Sequence, residues 1–454
     1  MKRYNREAKG GYYTPSFLTM NIDSNENFED IMTAKGVSER SEALFLHEYI
    51  HFLQDITSVS GLVNICVVVD YMKWATNITK QGVLKVPCIP VIEDGKNLLP
   101  NAQLKKICTG SGTLKDSYDN PIVWQETLGV HLEKAGTTID WKYIEADLQL
   151  VIEIKATNGN IYSYHVGEHC ISETMAYMIE NTIYNNVIES PSDFPYRVVN
   201  YVCDYLMPGF SQDPLNVIAL CDACLMHSFP GRALYYGLNI LKKYENLTPE
   251  GVYNIMVSPQ LLQETGVPQN LTIEHLLKIR KDDAVNQMSG YFTANYDSMI
   301  TWTTQMLEAA YAIRMTNPYF MLEIARGRDI RNNKAFIDVL NEIGCPVIMN
   351  NQNNMVYIRN NNIKDNVHPP VFNVISQIYS IMNRNVLEHN TYKCQLMDWC
   401  HKDFLTTGQK DLTTDGDSCR YAPWERVREE DIHQCYFGQI WYTWGLKDVI
   451  PNNE

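Results

Sequence analysis

His47-Glu48-Tyr49-Ile50-His51 constrains this chain more than any other run of its length. Two histidines four residues apart serve one metal ion only on a helix, because a helix stacks positions i and i+4 on one face. The surrounding sequence predicts such a helix over 39–57. Ser38 and Ser41 are both suited to cap its start. Phe45, Tyr49, Phe52, Leu53 and Ile56 recur at helical spacing and form a buried stripe, and Gly61 is read as the stop. Glu48 lies beside the two rings, where a carboxylate takes a proton from water instead of binding the metal. Zinc assists by lowering the pKa of water from about 15.7 to about 7. Asp55, one turn beyond His51, is placed to orient an imidazole.

A catalytic zinc needs a third protein ligand and an open position. The metzincin extension requires Gly and His where this chain has Gln54 and Thr57, which excludes that class. Glu173-Thr174-Met175-Ala176 is an E-x-x-A run in a predicted helix that Ser172 is suited to cap, and Glu173 is the preferred third ligand. Glu168, near the start of that helix, and Glu180, two turns after Glu173, are its rivals. Asp140 is another, in a run that is similar to the aspzincin G-T-x-D-x-x-Y signature but one residue too long. The H-E-x-x-H and E-x-x-A helices together resemble the zincin-like metallopeptidases of gluzincin type. The resemblance covers those two helices only. It implies a zinc-dependent peptidase acting on a peptide or protein substrate, with His47, His51 and Glu173 on the metal and Glu48 as general base. Thermolysin-like members carry Asp four residues after the ligand Glu; Tyr177 stands there in this chain, so it departs from that family proper. Candidates for the donor to a developing oxyanion are Tyr164, His165, His169 and Tyr177, all close in sequence to the third-ligand helix.

Other features set the frame. Alternation through Leu148, Leu150, Ile152 and Ile154, then Asn158-Gly159, then Ile161, Ser163 and His165 predicts a β-hairpin with a type I′ turn. Residues 10–23 suggest a short strand or two, 62–80 fit a helix or a buried strand, and 85–140 are rich in loop-forming residues. Helical patterns dominate from Pro191, roughly at 196–206, 214–227, 230–244, 271–288, 295–325 and 370–405, with a second hairpin over 345–358. The expected fold class is α+β. A zincin-like part over 1–190, with a loop-rich insertion at about 60–145, precedes a mainly helical part over 191–454.

Lys+Arg 38 against Asp+Glu 53 gives a net charge of −15 over 454 residues, a surface that repels phosphate backbones and argues against nucleic acid as a partner. No apolar run approaches the ~20 residues of a membrane helix, and the first residues lack the apolar core of an export signal. The 12 cysteines then read as reduced thiols in a cytoplasmic protein. Cys221-x-x-Cys224 reads as two small core residues of an apolar helix, since its only candidate second pair is Cys394 with Cys400 or His401. Two further readings compete. One is a non-catalytic zinc-bearing interaction protein. The other is a di-iron oxidoreductase joining Glu48-x-x-His51 to Glu430-x-x-His433.

Overall fold

The computed structural model describes residues 10–80, 105, 107–111, 122–135, 148–185, 187–188, 192–265, 267, 271–291, 297–352, 354–356, 358, 371–382, 393–414, 417–428 and 435–451. Helix α1 spans Glu39–Thr57, and local chemistry sets both of its ends. Ser38, in extended backbone, accepts the Ser41 N–H at 3.3 Å, and Glu26 accepts from the Ser38 backbone at 2.9 Å and its hydroxyl at 2.6 Å. Ser58 breaks the helix, and α2 (Val59–Lys80) leaves at 79°. Gly61 is therefore not the stop. It lies in the first turn of α2, where a Cβ would stand 2.3 Å from the Asp55 carbonyl oxygen, so only glycine lets the two helices meet at this angle.

Buried Arg314 holds the carbonyl end of α1. Its Nε donates to the Thr57 carbonyl at 3.2 Å, and its Nη1 and Nη2 make paired bonds to Asp222 at 2.7 and 2.9 Å. A cation at this end also complements the helix dipole.

Helix α3 (Glu168–Tyr184) packs on α1. Gly167 takes its N-cap position, while Ser172, the predicted cap, lies inside and bonds back to the His169 carbonyl at 2.9 Å. The helices that follow are α4 (Val198–Leu206), α5 (Pro214–Leu225), α6 (Pro230–Leu241), α7 (Pro249–Met256), α8 (Pro259–Glu264), α9 (Ile273–Tyr291), α10 (Asp297–Thr316) and α11 (Phe320–Ala325). Then come α12 (Lys334–Ile343), α13 (Val371–Met382), α14 (Met397–Thr407), α15 (Ser418–Tyr421) and α16 (Tyr436–Thr443). At about 61% helix and 11% strand the protein is mixed α/β and mostly helical. Helices α7, α8, α12, α15 and α16 go beyond those expected from the sequence.

The strands form two small sheets. Antiparallel β1 (Gly11–Thr14) and β2 (Thr19–Ile22) continue through a parallel pairing of β2 with β6 (Val347–Met349), and then to β7 (Met355–Val356). This sheet crosses the boundary expected at 190, and the β6–β7 hairpin that 345–358 predicts is part of it. The second sheet has the order β3-β4-β5, with β3 at Trp124–Lys134, β4 at Leu148–Ala156 and β5 at Ile161–Val166. The β4–β5 hairpin lies where the alternation puts it, but its turn is not type I′. Gly159 alone takes a positive φ, +82°, and the Gly159 N–H bonds to the Ala156 carbonyl at 2.8 Å. That is a type I turn followed by a left-handed glycine. The loop-rich insertion expected at 60–145 is corrected at both ends: α2 is a continuous helix, and β3 is the longest strand described.

Strand β1 is fastened to α1 by Asp55, whose Oδ2 accepts from Tyr13 Oη at 2.9 Å and Ser16 N at 2.7 Å. The carboxylate expected to orient an imidazole thus secures the sheet instead. Burial pushes the Asp55 carboxyl up to about 7, against the pull of these two donors. An unfolded aspartate titrates near 3.9, so the folded protein holds the Asp55 proton more tightly across this range. Its contribution to stability is then complete below about pH 4 and is lost as pH rises through about 7. Asp55→Asn should remove that slope. In urea denaturation from about pH 4.5 to about pH 7.5, the stability of the variant should rise relative to wild type as pH rises. A pH-independent difference would contradict the burial argument.

Candidate metal centre

Helices α1 and α3 run antiparallel and bring three sequence-predicted residues to one point. His47 Nε2 and His51 Nε2 are 3.3 Å apart, and Glu173 Oε2 is 3.5 Å from the first and 3.4 Å from the second. Tetrahedral zinc with arms of about 2.0–2.1 Å has ligand atoms about 3.3–3.4 Å apart, so these spacings match such an ion. Among the described residues this is the one group of His, Cys, Asp and Glu with three donor atoms within 4.8 Å of one another.

The hydrogen bonds behind the rings fix which nitrogens face the centre. His47 Nδ1 contacts Glu180 Oε2 at 3.0 Å, and His51 Nδ1 contacts Gln54 Oε1 at 2.9 Å. The Gln54 amide has one consistent orientation, because its Nε2 donates to the Ser172 carbonyl at 3.1 Å. Both Nδ1 atoms therefore carry the proton, and both Nε2 lone pairs point at Glu173. Two lone pairs and a carboxylate converging on one point are a donor set that could hold a cation.

The electrostatics agree. Burial lowers the His47 pKa, but hydrogen bonds to Glu173 and Glu180 outweigh it and raise the ring well above its ordinary value. Burial raises Glu173, but His51 and His47 hold it well below the usual carboxylate range. The surrounding groups draw positive charge to this point, whether as ring protons or as a metal ion.

Glu48 is on the same helix and 5% exposed. Burial pushes its carboxyl up to about 7, against the pull of His47 and His51. The Tyr13 backbone N–H donates to it. Gly11 leaves it room, since a Cβ there would come within 3.3 Å of Glu48 Oε1. The carboxylate thus lies against a strand edge, next to the three donors but outside their triangle.

The other candidates separate clearly. Glu180 is not a rival ligand; it orients His47, seven residues after Glu173 instead of the four of thermolysin-like chains. Glu168 accepts from Asn64 Nδ2 at 2.5 Å, away from the triad. Tyr164 donates to the Ser111 carbonyl at 2.9 Å, and His165 faces Glu133 across its sheet at 3.3 Å, so neither serves the site. Tyr177 bonds to Arg197. His169 does reach the centre, with Nδ1 3.9 Å from Glu173 Oε1 and a pKa lowered by burial. Asp140, Glu430 and His433 lie outside the described residues. Cys221 and Cys224 are fully buried in α5.

Two contributors escape the motif reading. Gln54 serves only to exclude a family in the sequence, yet it orients His51 and bridges α1 to α3. Tyr196 holds its ring tilted against that of His47, with centroids 6.2 Å apart, and the sequence marked it only as the start of a helix. Glu180 was visible as an acid two turns after Glu173, but as a rival ligand and not as the partner of His47.

Among the described residues no single helix is long and apolar enough to cross a membrane. Compared with protein-family models, curated proteins and solved structures, the chain matches none of them.

Proposed function

We propose that the protein is a zinc-dependent hydrolase of gluzincin type, with a zincin-like arrangement of α1, α3 and β1, that cleaves peptide bonds. One observation carries this reading: three donor atoms at 3.3–3.5 Å spacing with a buried carboxyl beside them, which burial pushes up to about 7. His47, His51 and Glu173 would hold the ion, and two imidazoles with one carboxylate are a donor set suited to zinc. Zinc supplies Lewis acidity to a substrate carbonyl and makes water acidic enough to attack at neutral pH.

The protein residues do the rest. Glu48 accepts the proton of the attacking water and delivers it to the departing amine. A carboxyl near 7 suits both halves of that transfer, because it is neither too weak a base nor too weak an acid. Glu180 and Gln54 keep the rings turned toward the ion. Among the described residues β1 is an edge strand of its sheet, and its Tyr13 N–H reaches Glu48. An extended peptide laid along such an edge would present its carbonyls to the triad, which favours a peptide over other acyl substrates.

Metal content tests the ligands. Purified protein supplied with zinc should hold about one ion at this site, lost in His47→Ala, His51→Ala and Glu173→Ala. Glu180→Ala should keep the ion but weaken it about 10–100-fold in chelator competition. Retention of full affinity by Glu173→Ala would displace it as a ligand.

Catalysis has a separate test. Glu48→Gln keeps the shape but loses the proton acceptor, so metal content should stay near normal while peptide turnover falls at least ~10²-fold. Turnover on a mixed peptide library, read by mass spectrometry, makes the comparison. Equal cleavage by variant and wild type would remove Glu48 as the base.

A further inference from the structure

Glu173 presents its two carboxylate oxygens to different partners. Oε2 faces the imidazoles, 3.5 Å from His47 Nε2 and 3.4 Å from His51 Nε2, whereas Oε1 faces His169 Nδ1 at 3.9 Å. His169 stands one turn before Glu173 on α3, so the helix itself stacks the two side chains. The His169 ring lies outside the group of donor atoms that fall within 4.8 Å of one another, which comprises His47, His51 and Glu173. It therefore adjoins the carboxylate and not the point on which the three donors converge.

Packing fixes where that ring stands. Gly167, the N-cap of α3, meets residues 107–111 so closely that a Cβ there would stand 2.5 Å from the Cys108 carbonyl oxygen. A Cβ on Gly231, at the start of α6, would come within 2.1 Å of the Val166 carbonyl oxygen. Ser111 also pairs with His165. Its N–H donates to the His165 carbonyl at 2.8 Å, and its Oγ accepts from the His165 N–H at 3.0 Å. Two neighbouring segments thus hold the entry to the first turn of α3, and His169 lies in that turn. A side chain of 13% exposure on a backbone held in this way has little freedom to turn.

A carboxylate that gives both oxygens to an ion fills the position that a hydrolytic centre keeps open. Whether the His169 ring is neutral or charged, Nδ1 carries a hydrogen toward Oε1, because a lone pair aimed at a carboxylate oxygen would be repelled. At 3.9 Å the attraction is electrostatic, since the contact is longer than a hydrogen bond. It opposes any turn of the Glu173 carboxylate that would bring Oε1 toward the imidazoles. On the reading of the centre as a zinc site, we propose that His169 is a positioning residue: it holds Glu173 to one oxygen on the ion and so keeps the fourth position open for solvent and substrate.

Cobalt(II) supplied to the full-length protein tests this role, because its visible spectrum reports coordination geometry as well as occupancy. Wild type should bind about one ion, with the intense bands of a tetrahedral site. His169→Ala should keep the ion, held about 10–100-fold more weakly, and turnover of a mixed peptide library should fall by a similar factor. Its visible bands should weaken as Glu173 adds its second oxygen and the coordination number rises. His169→Asn sets an amide nitrogen where Nδ1 stands and should restore both spectrum and turnover. His169→Gln reaches the Nε2 position instead and should resemble His169→Ala, which preserves the comparison if the alanine variant does not fold. A bound ion with one and the same spectrum in wild type, His169→Ala and His169→Gln overturns the proposal and leaves the zinc reading intact. Loss of the ion from both variants would make His169 a ligand and overturns it as well. Wild type that takes up no ion overturns the zinc reading, and the role of His169 falls with it.

Discussion

The site rests on which nitrogen of each imidazole carries the proton. His47 and His51 offer lone pairs to a common point only because Glu180 and Gln54 take their Nδ1 protons. The two supports differ in kind. A carboxylate behind His47 makes that ring the more basic ligand, whereas the neutral amide behind His51 fixes direction with little added charge. Gln54 also bonds to the Ser172 carbonyl of α3, so the orientation of His51 and the crossing of the two helices are a single constraint. A shift of α3 along α1 would move Glu173 and release His51 together.

That crossing is held along its whole length. Near one end Tyr184 donates to Glu42 at 3.2 Å, and Arg331 pairs with the same carboxylate at 2.7 Å. His47–Glu180, His51–Glu173 and Gln54–Ser172 follow in antiparallel order, and Asn64–Glu168 continues it into α2. Arg314 then closes the far end of α1 with its paired bonds to Asp222 and its face over Phe320 at 4.6 Å. Burying that ion pair is tolerable because the guanidinium also satisfies Thr57. Removing one partner of such a pair typically costs 3–5 kcal/mol. The His47–His51–Glu173 cluster therefore sits on two helices fastened to each other along their length.

How much of this could be read beforehand depended on range. Ser38, the apolar stripe of α1 and the H-E-x-x-H spacing are local, and the helix they predict agrees with the structure to the residue. Glu173 was reachable because a short motif marks it. The support layer was not, because Gln54, Glu180 and Asp55 take their meaning from partners far along the chain. Asp55 shows the difficulty: one turn after His51 it looks like an orienting acid, but the β1–β2 turn claims it first. Strand β3 was hidden for another reason. Both of its faces are largely solvated, so it lacks the alternation that exposed β4.

Glu48 and Asp55 make a final point about shared control. They lie seven residues apart on one face of α1, and burial pushes both up to about 7. Tyr13 serves both, giving its backbone N–H to Glu48 and its hydroxyl to Asp55. The strand that covers Glu48 is thus fastened by the second carboxyl. If β1 lifted, bulk solvent would surround Glu48, and its pKa would fall toward the ordinary carboxylate range. It would then be a weaker base and a poor proton donor to a leaving amine. The acid–base range of Glu48 is in this sense a property of a closed strand edge, and the bonds from Asp55 to Tyr13 and Ser16 keep that edge closed.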